Sequence, residues 1–264
     1  MLKILSKSLF CFLSLIFFFC GYAFFGCAGR INQKKALEHY DVGMALCRSQ
    51  KWELALAELK KAKEFNPDDD KILNGIGLAA FYNGRLPEAA FYYKKAIAIN
   101  PNQPGYHNNL AASLNALDKQ EEAIKYCRKA LSFKSYQNPE FAYFNLGTAY
   151  FDLGKYRSAK EAFEKSYEIN SLYIEPYYHL GRTLIKLSQF KVAIKKLKEA
   201  EELRIKFAGE NTQLKAGIFY HLGLAYIKLK KYPESIKYLR KVTEENSGYL
   251  GEEAKKLLER LERK

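Results

Sequence analysis

Four histidines, His39, His107, His179 and His221, and five cysteines are the side chains in this chain equipped to hold a metal or attack a substrate. Their spacing does not assemble a site. The histidines recur at repeat intervals instead of metal-ligand intervals, and no G-x-S-x-G, phosphate-cradling glycine loop or H-E-x-x-H is present. The sequence therefore predicts no active site, metal, cofactor or small-molecule substrate, and each imidazole is expected to pack or hydrogen-bond locally. Cys11 and Cys20 lie in an apolar leader; Cys47 and Cys127 sit at apolar helical positions and are expected to be small core or groove residues with no disulfide between them. The balance of 43 Lys+Arg against 29 Asp+Glu permits contact with anionic lipid, cell-wall polymer or nucleic acid. The lysines are scattered, however, and neither zinc spacing nor an aromatic strand platform accompanies them. Nucleic acid is not an expected partner, and the charge reads as a solvated outer face.

The elements that must position these residues are legible in the stretch Asn138 to Asn170. Tyr143, Leu146, Gly147 and Tyr150 form one apolar helical stripe, Leu153-Gly154-Lys155 breaks it, and Ala159, Phe163 and Ser166 form a second. This is a helix hairpin, in which Gly147 and Ala159 are expected where the two backbones come close. A hairpin this small cannot bury its own apolar face, so copies must stack on it. The first-helix landmark recurs at Gly43, Gly77, Ala111, Gly147, Gly181 and Gly223, and the second-helix landmark at Ala55, Ala89, Ala123, Ala159, Ala193 and Ser235; both series step by 34, 34, 36, 34 and 42. Asn66-Pro67, Asn100-Pro101 and Asn138-Pro139 are expected to end second helices, while Pro87 and Pro233 open them.

With Leu146-Gly147, Tyr150, Ala159 and those prolines, the chain resembles the tetratricopeptide repeat (TPR) family. The resemblance implies an all-α, right-handed superhelical solenoid of six hairpins over residues 36–247 (about 36–69, 70–103, 104–137, 140–173, 174–207 and 216–247). A solvating capping helix would follow at 248–264, carrying Ala254, Leu257, Leu258 and Leu261 on one stripe. The eight extra residues around Ala208 to Lys215 are expected to protrude as a loop after a long lysine- and glutamate-rich helix.

In such stacks the first helices line the inner side, which places Tyr40, Met44, Asn74, Leu78, Phe81, Asn108, Phe144, Phe151, Tyr178, Arg182 and Tyr220 on a groove for a protein partner. That groove is expected to be aromatic and apolar, with a polar patch at the third repeat. Beside it, two residues before each landmark, Asn109, Asn145, His179 and His221 form a row able to pair with the backbone of an extended peptide. The two-carboxylate clamp of chaperone-binding repeats is absent: Tyr40 and Met44 stand where a Lys and an Asn would be needed.

Residues 1–26 read as an export signal, with Lys3 and Lys7 before an uncharged stretch rich in Phe and Leu. Gly26 followed by Cys27 resembles a bacterial lipobox, in which Cys27 would be lipidated as the first mature residue; an uncleaved transmembrane helix is the alternative. Ala28 in place of Asp points by resemblance to the outer membrane, with the repeats on its periplasmic face behind a tether over 27–35. An inner-membrane anchor with periplasmic repeats stays open. Lipobox, tether, six repeats and the Tyr136 to Glu140 extension together resemble the PilF/PilW family of type IV pilus biogenesis lipoproteins. That resemblance implies a pilotin, a scaffold binding a secretin subunit. The other expectation is a lipoprotein adaptor resembling NlpI, with another envelope protein as partner.

Overall fold

The computed structural model describes residues 31–208, 212–245 and 248–263. The expected signal peptide, Cys27 and tether residues 28–30 lie outside the described residues, and the rest of the expected tether, 31–35, is helical rather than extended. By its internal contacts the chain divides into two compact units, one ending at Asn102 and one beginning at Gln103. Among the described residues all regular structure is helical. Unit 1 holds α1 (residues 31–48), α2 (Trp52–Phe65), α3 (Asp70–Tyr82) and α4 (Leu86–Ile99). Unit 2 holds α5 (Pro104–Ala116), α6 (Gln120–Leu131), α7 (Pro139–Asp152), α8 (Tyr156–Ile169), α9 (Ile174–Lys186), α10 (Phe190–Leu203), α11 (Thr212–Lys228), α12 (Tyr232–Glu244) and α13 (Gly248–Glu262). In each unit consecutive odd- and even-numbered helices pair as hairpins, and α13 closes the last one, burying Ala254 and packing Leu257, Leu258 and Leu261 against the neighbouring core.

The two helices do approach at their landmarks, as where Ser235 gives its hydroxyl hydrogen to the Gly223 carbonyl at 3.0 Å, and each landmark glycine also seats a large side chain sixteen residues on. A methyl group built on Gly43, Gly77, Gly147, Gly181 or Gly223 would lie within 2.5 to 2.7 Å of Leu59, Tyr93, Phe163, Leu197 or Leu239 respectively. Each glycine is thus a seat for one bulky residue of the second helix, and all five of those residues are almost fully buried. In the third repeat Ala111 replaces the glycine, and the residue sixteen on is Cys127, the smallest of the set; both are fully buried. Cys47 and Cys127 are free thiols, and burial pushes that of Cys127 up to about 12.

Every hairpin turn is built alike. Gln50, Gly84, Asp118, Gly154, Ser188 and Lys230, each seven residues after its landmark, adopt left-handed backbone with φ between 55° and 76°. The next residue's N–H reaches back five residues to a carbonyl, as in Arg85 to Ala80 (2.9 Å), Lys155 to Tyr150 (2.8 Å) and Gln189 to Leu184 (2.8 Å). This is the Schellman closure, which satisfies carbonyls the helix end leaves open. Only Gly84 and Gly154 announce it in the sequence.

Two boundaries differ from expectation. Asn66 and Asn100 do end α2 and α4, but α6 stops at Leu131, so Asn138-Pro139 opens α7. Proline at the first helical position has no N–H to leave unpaired, which suits an opening. The eight-residue insertion is not simply a loop. α10 continues as a π-helical turn over Arg204–Ala208, held by a two-pronged pairing of Arg204 with Glu201 at 2.7 and 2.9 Å. Thr212 to Lys215 are already helical, lengthening α11, and Lys215 ion-pairs with Glu245 just past α12. The described part of the insertion is absorbed at both ends by helix.

Candidate protein-interaction face

In unit 1 the expected groove residues Tyr40 and Met44 on α1, and Asn74, Leu78 and Phe81 on α3, are half-buried. Tyr40 borders a cleft of about 320 Å³ shared with Ala36, Leu37, Asn66, Asp69 and Ile72. Burial pushes the Tyr40 phenol up, and Asp69, Asp41 and Asp70 push it further, so a negative field surrounds this part of the face. Asp69 also caps α3, accepting from Lys71 N and Ile72 N at 2.9 and 3.1 Å.

In unit 2 the first helices α5, α7, α9 and α11 touch in succession. The expected polar patch is present as a network. Asn145 donates from Nδ2 to Asn108 Oδ1 (2.9 Å), and Asn115 donates from Nδ2 to the Asn145 carbonyl (2.8 Å), fixing the Asn115 amide with its Oδ1 buried and without a partner. Asn108 is buried, while Asn109, Phe144, Phe151, Tyr178, Arg182 and Tyr220 are half-buried. The Arg182 guanidinium lies over the Phe151 ring (4.8 Å to its centre) and beside the Tyr178 ring (5.6 Å), with Nη1 3.5 Å from His179 Nδ1. Its Nε is buried with no hydrogen-bond partner.

Two expectations need correcting. The row Asn109, Asn145, His179 and His221 was expected to offer amide and imidazole groups to a peptide. All four have partners within the protein. Asn145 is taken up by Asn108, and His179 packs edge-on to Phe144 (5.1 Å) and against Phe163 (5.5 Å). His221 gives its Nδ1–H to the Gly217 carbonyl at 2.8 Å. Burial, then Arg182, holds the His179 imidazole down to about 3; burial likewise holds His221 down to about 4 although its bond to Gly217 opposes it. Both rings are neutral packing groups near neutral pH. The second correction concerns apolar exposure. None of the expected groove aromatics is fully exposed, and Tyr178, Tyr220, Ile185 and Ile227 pack against the core. Among the described residues the exposed large apolar side chains lie elsewhere, many on second helices, such as Leu54, Phe91, Ile99, Ile169 and Val192. Helix-on-helix packing between neighbouring hairpins consumes the rings that helical period alone assigns to the groove.

The other histidines also pack locally: His39 bonds Glu58 at 2.7 Å and stacks on Phe65, and His107 stacks on Tyr126 and Phe133. Among the described residues no cluster of three or more His, Cys, Asp or Glu is placed to hold a metal, and no helix is long and apolar enough to cross a membrane. Asp152, absent from the expected set, sits near Arg182. Burial pushes its carboxyl up, Arg182 pulls it down and Asp118 pushes it up again.

The hairpins are tetratricopeptide repeats. Tetratricopeptide repeat models match residues 71–103, 92–125 and 216–249, and a model of anaphase-promoting complex, cyclosome, subunit 3 matches 119–200. The chain is similar to the small glutamine-rich tetratricopeptide repeat-containing protein 2 of Mycosarcoma maydis, 32% identical over 115 residues, covering 43% of this chain and 29% of that protein. It spans about a third or less of the first such relatives. Among solved structures it is similar to PilW, described as a widely conserved type IV pilus biogenesis factor, with a TM-score of 0.73 at 18% identity over 82% of this chain and 96% of PilW. Pseudomonas aeruginosa pilF gives 0.68 at 20% identity over 83% and 96%. At these identities the likeness is one of fold.

Proposed function

We propose that this protein is a non-catalytic adaptor that binds a polypeptide partner on the first-helix faces of its hairpins. In this reading a lipid on Cys27 holds it at the periplasmic face of the outer membrane, where it acts as a pilotin-like factor receiving a type IV pilus secretin subunit. The observation that carries the reading is the fit of PilW and pilF over 96% of their own lengths to an all-helical stack. The first-helix side chains of that stack are half-buried and differ from one repeat to the next. A half-buried side chain keeps accessible area for a partner while its neighbours hold it in place.

The test is a photocrosslinker at Phe144, activated in membranes of cells making the full-length protein. Recovery of secretin supports the pilotin role; recovery of cell-wall hydrolases or proteases instead overturns it in favour of a more general envelope adaptor. In the same cells Cys27→Ser releases the protein from the outer-membrane fraction, and unchanged fractionation overturns the lipid anchor.

A further inference from the structure

In four hairpins the residue three after the second-helix landmark reaches the residue four before the first-helix landmark. Glu58 bonds His39 at 2.7 Å, Tyr126 stacks on His107, the Lys196 ammonium lies 5.4 Å from the centre of the Tyr177 ring, and Tyr238 packs against Phe219. The second repeat has Tyr92 at this place, also buried. In the fourth repeat the residue is Ala162, and a cleft of about 550 Å³ opens between α6 and α8, with Tyr143, Leu146 and Tyr150 of α7 along it.

The sixth repeat shows how such a space is filled. Phe219, Leu222 and Tyr226 are its equivalents of Tyr143, Leu146 and Tyr150, and Lys241 stands where Lys165 stands. The preceding second helices agree as well: Arg128 donates to the Tyr150 hydroxyl at 2.8 Å, and Lys198, at the matching place on α10, bonds Tyr226. Against these shared walls the sixth repeat sets Tyr238 and the fourth sets Ala162. The Tyr238 ring lies nearly parallel to Tyr226 (5.7 Å between centres, 8° between planes), tilts against Phe219 (5.9 Å) and has the Lys241 ammonium 5.8 Å from its centre.

We propose that the cleft between α6 and α8 receives one aromatic side chain of a partner polypeptide, seated on Tyr150 and Tyr143 as Tyr238 is seated on Tyr226 and Phe219, with an Asp or Glu beside it in the partner's sequence. The walls suit a ring: two aromatic faces and a leucine supply apolar contact, and a cation at the rim is attracted to the negative face of the ring. Lys165 is that cation. It pairs with Glu168 at 3.0 Å, but both side chains are more than half exposed, and pairs of that kind are weak enough to give way. The acid follows from charge: Arg128 and Lys165 line the cleft against one carboxylate, Glu161, so a partner acid evens the balance. Tyr143, Leu146 and Tyr150 occupy a different stripe of α7 from Phe144 and Phe151. The cleft is therefore a second surface, independent of the first-helix face.

The experiment pans a random linear peptide library, displayed with both ends fused, on the full-length protein in detergent, then measures the selected peptides on the wild type and on Ala162→Tyr. That variant supplies the ring from within and should melt no lower than the wild type; if it melts lower, Ala162→Leu, which fills the cleft with less bulk, takes its place. Peptides that lose tenfold or more in affinity on the filled variant, about 1.4 kcal/mol, should share an aromatic residue next to an acid. Changing that aromatic residue to Ala should cost as much on the wild type and nothing on the filled variant. If every selected peptide binds wild type and filled variant alike, or if the sensitive peptides share no aromatic residue, the proposal is overturned. Retention of no peptide by the wild type overturns it too. Crosslinking from Phe144 reads the other stripe, so the first-helix reading stands or falls separately.

Discussion

Tyr40 and Tyr178 stand at the same place in the repeat, three residues before Gly43 and Gly181, one in unit 1 and one in unit 2. Burial pushes both phenols up, but the surroundings then diverge. Asp69, Asp41 and Asp70 push Tyr40 further up, whereas Arg182 pulls Tyr178 back down. One backbone thus presents opposite electric fields from equivalent seats. The lesson is that the repeat decides where a side chain stands, and the handful of positions free of packing duty decide what it can recognise. Unit 1 has no imidazole comparable to the buried pair in unit 2: His39 is paired with Glu58, whose carboxyl is held low by Lys61 first and His39 second.

Acid should separate the two units most sharply. His179 and His221 bind their protons below their ordinary value of 6.5, at about 3 and about 4, so the unfolded chain binds more protons in between and stability falls as pH drops through that window. The loss is at most about 1.4 kcal/mol per pH unit for each ring. Glu58 works in the same direction but a lower window: its depressed carboxyl contributes stability that persists above its unfolded value of 4.5 and is lost only further down. Pulsed hydrogen exchange at pH 7 and pH 5 should therefore show unit 2 opening first. Equal protection of both units at pH 5 would contradict the burial of the two imidazoles.

The glycine seats should behave alike in both units. Gly77→Ala and Gly181→Ala each drive a methyl into Tyr93 or Leu197 and should lower stability by about 1 to 3 kcal/mol, read from thermal or urea unfolding. A marked inequality would mean that the seat belongs to one unit's packing and not to the repeat. The smallest effect is expected at the turns. Gln50→Gly in unit 1 and Ser188→Gly in unit 2 remove a left-handed non-glycine residue and should each raise stability by about 1 kcal/mol or less, seen as a higher urea midpoint. A lower midpoint at either would count against left-handed backbone there.

The fold was legible because two small-residue series kept one register through two insertions, and small residues are what tight packing between paired helices demands. The left-handed backbone of Lys230, Gln50, Asp118 and Ser188 was hidden because sequence shows that conformation only where glycine marks it. The engaged state of Asn145 and His179 was illegible for another reason. Whether a side chain faces a partner or the next hairpin depends on which neighbour stacks beside it, and Asn108 or Phe144 is supplied from a different repeat. Register placed Arg182 on the face, but the Phe151 ring beneath its guanidinium is supplied from another repeat, which is a property of three-dimensional surroundings.

The matched sizes of Ala111 and Cys127 bear on how repeats of this chain could be shuffled. Hairpins can trade these positions only as couples: a lone alanine grafted at 147 collides with Phe163, and a lone phenylalanine grafted at 127 has no bare backbone to lie on. A chimera exchanging both members together keeps the volume of the lock and its key, and should tolerate what either single graft does not.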